Sequence, residues 1–172
     1  MPDLDTLVRT KPPTAYVLRP PRSGDIGWVI HRHAVLYAEE YDWDETFETL
    51  AARVAADFVQ NFRPGQERCW IAELDEKNVG SVFVVRQSDE VAKLRMLLVE
   101  PKARGLGIGS RLVDECLDFA RQAGYRRMTL WTNSILVAAR RIYEKAGFEL
   151  VSQEPHHSFG HDLVGETWER DL

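Results

Sequence analysis

Between Val91 and Thr132 the hydrophobic period changes twice, and this limits the folds open to the chain more than any other feature. The run "VAKLRMLLVEP" reads as a strand that stops at a proline. "GIGSRLVDECLDFARQAG" then sets Ile108, Leu112, Val113, Cys116, Leu117 and Ala120 on one helical face, and Gly124 suits the left-handed position that closes it. "YRRMTLWT" returns to a strand. Strand, helix and strand in this order make a βαβ crossover, so the two strands are expected to lie parallel.

The flanking segments supply the rest of one sheet. "AYVLRP" is a short strand ended by Pro20 and Pro21. Asp25 is placed to cap a helix carrying Ile26, Val29, Ile30, His33, Leu36 and Tyr37. Asp44 is placed to cap a second, with Phe47, Leu50, Val54, Phe58 and Phe62 along one face. "RCWIAELDEKNVGSVFVVRQSDEVAKLRMLLVEP" alternates apolar runs with polar turns and reads as a three-stranded antiparallel meander. Downstream, "NSILVAARRIYEKAG" is a helix capped by Asn133 or Ser134, and "FELVSQE" and "LVGETWERDL" are strands around a "PHHSFGH" loop. The expected fold class is α/β in the α+β sense: one mixed, mostly antiparallel sheet with a central parallel pair, flanked by helices. A parallel pair inside an antiparallel sheet is a natural place for a cleft.

With 172 residues, 44% apolar and 28% charged, the chain can bury one sizeable core. Residues 1–14 carry "KPP" and no sustained period, so they read as a mobile leader before a single domain over 15–172. A formal net charge of −5 argues against nucleic acid as the main partner, because neutralising phosphates needs a surplus of Lys and Arg. No apolar run approaches membrane-spanning length and the N-terminus lacks a signal layout, so a cytoplasmic protein is expected. Cys69 and Cys116 match no paired metal or redox spacing and read as small buried hydrophobes.

Chemistry concentrates in the turn "RGLGIGS", Arg104 to Ser110. Its glycines, Gly105, Gly107 and Gly109, serve either a tight strand-to-helix turn or a backbone cradle for phosphate at a helix N-terminus. A P-loop is excluded, because Ser110 and Arg111 stand where it needs Lys and Ser or Thr; the dinucleotide fingerprint fails on glycine spacing.

A third pattern fits. Arg104-x-x-Gly107-x-Gly109, followed by Asn133 and by "ARRIYEKAGF" with Tyr143, Gly147 and Phe148, resembles the GCN5-related N-acetyltransferases, the GNAT superfamily. The resemblance is specific from about Lys93 to Phe148 and implies an acyl-CoA co-substrate, usually acetyl-CoA, whose acyl group passes directly to an amine, with no metal. It implies that Arg104, Gly105, Leu106, Gly107, Ile108, Gly109 and Ser110 hold the CoA pyrophosphate. It also implies a bulge in the preceding strand, with the pantetheine arm along Leu97, Leu98 and Val99 and touching Asn133. The Leu97 N–H would polarise the thioester carbonyl, and Tyr143 would protonate the departing thiolate. Those roles suit the chemistry, in which charge builds first on an oxygen and then on a sulfur.

The base is less determined. Lys93 stands where some family members have a glutamate, so Glu73 is the preferred base and Glu40 the second. Tyr37, Glu40, Tyr41, Asp42, Trp43 and the "PHHSFGH" loop are expected on the acceptor side. An N-acyltransferase acting on a small-molecule or protein amine is the leading expectation; a CoA-sensing module that binds without catalysis is the alternative. The sequence does not fix an oligomeric state, although an exposed edge in "LVGETWERDL" could pair subunits into a homodimer; neither nucleic acid nor membrane is an expected partner.

Overall fold

The computed structural model describes residues 15–172; the expected leader lies outside the described residues. Seven strands form one sheet in the order β1-β2-β3-β4-β5-β7-β6. They are β1 Val17–Arg19, β2 Arg68–Leu74, β3 Lys77–Arg86, β4 Val91–Val99, β5 Arg127–Asn133, β6 Glu149–Ser158 and β7 His161–Asp171. The helices are α1 Asp25–Tyr41, α2 Glu45–Gln60, α3 Ile108–Gln122 and α4 Val137–Lys145. All neighbouring strands are antiparallel except β4 and β5, the pair joined through α3.

The two faces bury different helices. Ile108, Leu112, Val113 and Cys116 of α3 pack with Val82, Val84, Leu94 and Met128 on one face. Val29 of α1 and Ala55 and Phe58 of α2 cover Cys69, Ile71 and Phe83 on the other. Strand alternation decides which residues face which layer. Lys93 and Arg95 lie opposite Val85 and Phe83 in the β3–β4 register and so share the α1/α2 face.

Four local expectations change. Gly24, left-handed with φ 94°, precedes α1 and makes no side-chain cap. Asp25 instead accepts from Arg19 Nη1 at 2.7 Å, Arg22 N at 2.6 Å and Asn78 Nδ2 at 2.8 Å, tying the helix start to β1 and β3. Asp44 does cap α2, accepting from Thr46 N at 3.0 Å. α4 begins only at Val137, so Asn133 ends β5 and Ser134 caps nothing. Most of "PHHSFGH" is strand: β6 runs through Pro155 to Ser158 and turns at Phe159 and Gly160, both with positive φ. Proline is tolerated there because β6 is the sheet's edge. β7, where the exposed edge was expected, is paired on both sides.

Candidate active site

The central strands are forced apart. β4 and β5 pair only over Val91–Leu94 and Arg127–Leu130. Just beyond, the β3–β4 register slips between Ser81 and Phe83, and Met96 takes φ 56°, the left-handed backbone of a bulge. The Ser81 hydroxyl donates to Met96 O at 2.9 Å and holds that bulge. Two cavities, of about 310 and 380 Å³, open where the strands part, and Tyr37, Leu97, Leu136 and Ala139 line both.

The larger cavity runs along Leu97, Leu98 and Val99 to the glycine turn. None of the N–H groups from Gly105 to Ser110 has an acceptor among the described residues; the next amide, Arg111 N, donates to Gly107 O at 3.0 Å. Six free donors at the start of a 15-residue helix suit a phosphate-sized anion. Gly105 and Gly107 have φ 85° and 78°, and a Cβ on either would enter open space, so the glycines keep the approach clear. Gly109 is a packing glycine as well, since a Cβ there would sit 2.8 Å from Ile142 Cδ1. Leu106 points away, exposed and off the cavity wall. Arg104 stands at the rim, ion-paired to Glu40.

The smaller cavity lies on the α1/α2 face. Its floor is β4 from Lys93 to Leu97 and its far wall is Trp131, Thr132 and Asn133. Trp43, Phe47 and Phe159 close it, joined ring to ring at 4.7 to 5.1 Å. Asp44 N donates to Phe159 O at 3.2 Å, so the α1–α2 corner is fastened to the β6–β7 turn. Gly165 lets the Trp131 indole lie across β7, because a Cβ there would meet the ring at 2.6 Å.

Tyr143 enters this cavity from α4, 5% exposed. Burial, with smaller effects of Tyr37 and Cys116, pushes its phenol well above the usual value, and among the described residues no hydrogen bond engages it. Asn133 also lies here rather than along the larger cavity. Its Oδ1 accepts from His156 Nε2 at 2.8 Å, and His156 Nδ1 meets Ser158 Oγ at 2.9 Å.

Sequence reasoning passed over His33 and Arg95. His33 lay on the inward stripe of its helix, a position that signals packing as readily as chemistry. Its Nδ1–H donates to Val29 O at 2.8 Å, which leaves Nε2 as the ring's lone-pair atom on the cavity wall. Burial lowers its pKa from 6.5 to about 4. The unfolded chain therefore binds a proton that the folded one refuses between those values, so stability is complete above about pH 6.5 and falls as pH drops toward 4. We expect up to about 3 kcal/mol to be lost over that interval in denaturant titrations. His33→Gln should remove that part of the slope; an unchanged slope would refute the assignment.

Glu73 is not brought to the cleft. It lines neither cavity and accepts from Arg19 Nε at 2.7 Å, with Arg22 Nη1 at 3.8 Å. Glu40 lines the larger cavity only. Among the described residues, no Asp or Glu lines the smaller one. Its charged groups are Lys93 and Arg95, each half-buried and lowered in pKa, first by burial. Among the described residues no group of three or more His, Cys, Asp and Glu could hold a metal ion. Nor is any described helix long and apolar enough to cross a membrane.

Residues 32–148, more than half of the chain, match the model of the Acetyltransferase (GNAT) family. The chain belongs to that family. It is 33% identical over 141 residues to "Probable N-acetyltransferase camello" of Xenopus tropicalis, covering 78% of this chain and 64% of that protein. It is 36% identical over 130 residues to N-acetyltransferase 8B of Homo sapiens, covering 72% of this chain and 57% of that one. It thus spans less than two thirds of either relative. Among solved structures, yncA from Salmonella typhimurium, described as an acetyltransferase with its cofactor acetyl-CoA, matches at TM-score 0.69 and 22% identity, over 92% of this chain and 94% of that one. The likeness to that structure is one of fold.

Proposed function

We propose that the protein is an acyl-CoA-dependent N-acyltransferase that uses acetyl-CoA and passes the acyl group directly to an amine. The observation that carries this reading is the junction: a turn of six free amides and a buried, unengaged phenol open onto two cavities that meet at Leu97. Bound acetyl-CoA supplies an acyl group activated as a thioester. The amides of residues 105–110 hold the pyrophosphate, and the β4 edge freed beyond the bulge takes the pantetheine arm. The amine reaches the carbonyl from the smaller cavity as a neutral nucleophile, having first lost one proton to solvent. As the N–C bond forms and the C–S bond breaks, Tyr143 gives its proton to the sulfur and regains one from the nitrogen, directly or through water. Leu97, on both cavity walls, lies where its N–H can meet the charge building on the carbonyl oxygen.

The test is thiol release from acetyl-CoA across a panel of amines, with acetyl-CoA binding measured by calorimetry. Release with at least one acceptor is expected, and Glu73→Gln should retain it. Tight CoA binding without release for any acceptor would refute the transferase and favour a CoA-sensing module.

A further inference from the structure

Resting on the transferase reading, we propose that the acceptor is an α-amino acid with an apolar side chain, its carboxylate held by Lys93 and Arg95. These two stand two residues apart on β4, so their side chains leave the same face about 7 Å apart, near enough to close on one carboxylate. Neither has a carboxylate within 4.0 Å or any hydrogen-bond partner among the described residues, although both are half-buried in the cavity wall. Arg19, Arg32 and Arg140 line neither cavity, and each of them is ion-paired. Among the described residues, the two cations on the acceptor wall have no ion-pair partner.

A second observation is independent of charge. Trp43 lines the same cavity, is 4% exposed, and its indole N–H is buried with no acceptor among the described residues. A buried donor without a partner is uncommon because the lost hydrogen bond is not replaced. The wall therefore carries two unpaired cations and, in Trp43, an indole whose buried N–H has no acceptor among the described residues. Its available acceptors are few: Asn133 Oδ1 is taken by His156, and the nearest influence on Arg95 from an acid is Asp57 of α2, which makes no ion pair with it.

Substrate class follows. A plain ammonium brings only positive charge to two cations in a partly dry site and is repelled. An amine with its own carboxylate brings the missing negative charge, and the cations then favour loss of the ammonium proton. That supplies, without a carboxylate base, the neutral amine that attack requires. The remaining wall, from Trp43, Phe47, Leu50, Val54 and Phe159, suits an apolar side chain, and about 310 Å³ suits a small molecule.

Matched pairs decide it: phenylalanine, leucine and methionine against their carboxamides, by thiol release and by calorimetric binding. We expect the best amino acid to exceed its amide at least about 30-fold in kcat/KM, and Lys93→Gln or Arg95→Gln to raise its KM about 10-fold while moving the amide's by less than about threefold. Lys93→Arg should restore the preference. Amides used as well as amino acids overturn the inference and leave the transferase standing. If no amine releases thiol, carboxylate-dependent binding lost in both Gln variants upholds the inference against the transferase reading, and equal or absent binding of acid and amide overturns it.

Discussion

Tyr143→Phe is expected to lower kcat by about 10²- to 10³-fold while the Kd for acetyl-CoA changes by less than about threefold. The phenol lies on the wall of the smaller cavity, away from the glycine turn proposed to hold the pyrophosphate, so donor binding should not depend on it. Because burial holds the hydroxyl protonated through the neutral range, it is a donor whenever the thioester opens. A thiolate leaving in a partly dry site is poorly solvated and takes up a proton readily, and without the donor its departure has to wait for water. Folding should be little affected, since the hydroxyl has no internal hydrogen bond to lose. Pre-steady-state thiol release separates chemistry from product release, and an unchanged burst rate would remove Tyr143 from the reaction.

Why this cleft was legible in part can be stated residue by residue. Alternation and helical spacing report which face of an element is apolar, so the element order, the parallel pair and Asp44's cap could be read directly. Glycines report locally too: a turn at a helix start needs no distant partner to leave its amides free, and the N–H groups of 105–110 have no acceptor among the described residues. Glu73 failed because a carboxylate's role depends on what meets it, and Arg19, fifty-four residues earlier, is invisible to a local pattern. The hydrogen bond of Asn133 was hidden for the same reason, its partner His156 arriving on β6. Lys93 looked like a departure from an expected acid, and only packing makes it a feature. Because no acid among the described residues lines its cavity, what looked like a missing base becomes a positive wall.

That contrast sets the second large effect. Gly107→Asp should weaken acetyl-CoA binding about 10- to 100-fold, whereas Gly107→Asn, equal in size, should weaken it by less than about threefold. Position 107 has φ 78°, and Asp and Asn are the side chains that best tolerate that region. A Cβ there finds nothing within 4 Å, so neither variant clashes with the fold. An aspartate also favours the N-terminus of α3, which offsets part of the backbone strain. Stability and donor affinity should therefore separate: thermal melting moves by only a few degrees in both variants, while binding is lost in one. The difference between Asp and Asn isolates a single charge placed against a pyrophosphate, and it should shrink as salt is raised because the turn is open to solvent. Equal weakening by both residues would mean that the turn excludes bulk without holding an anion.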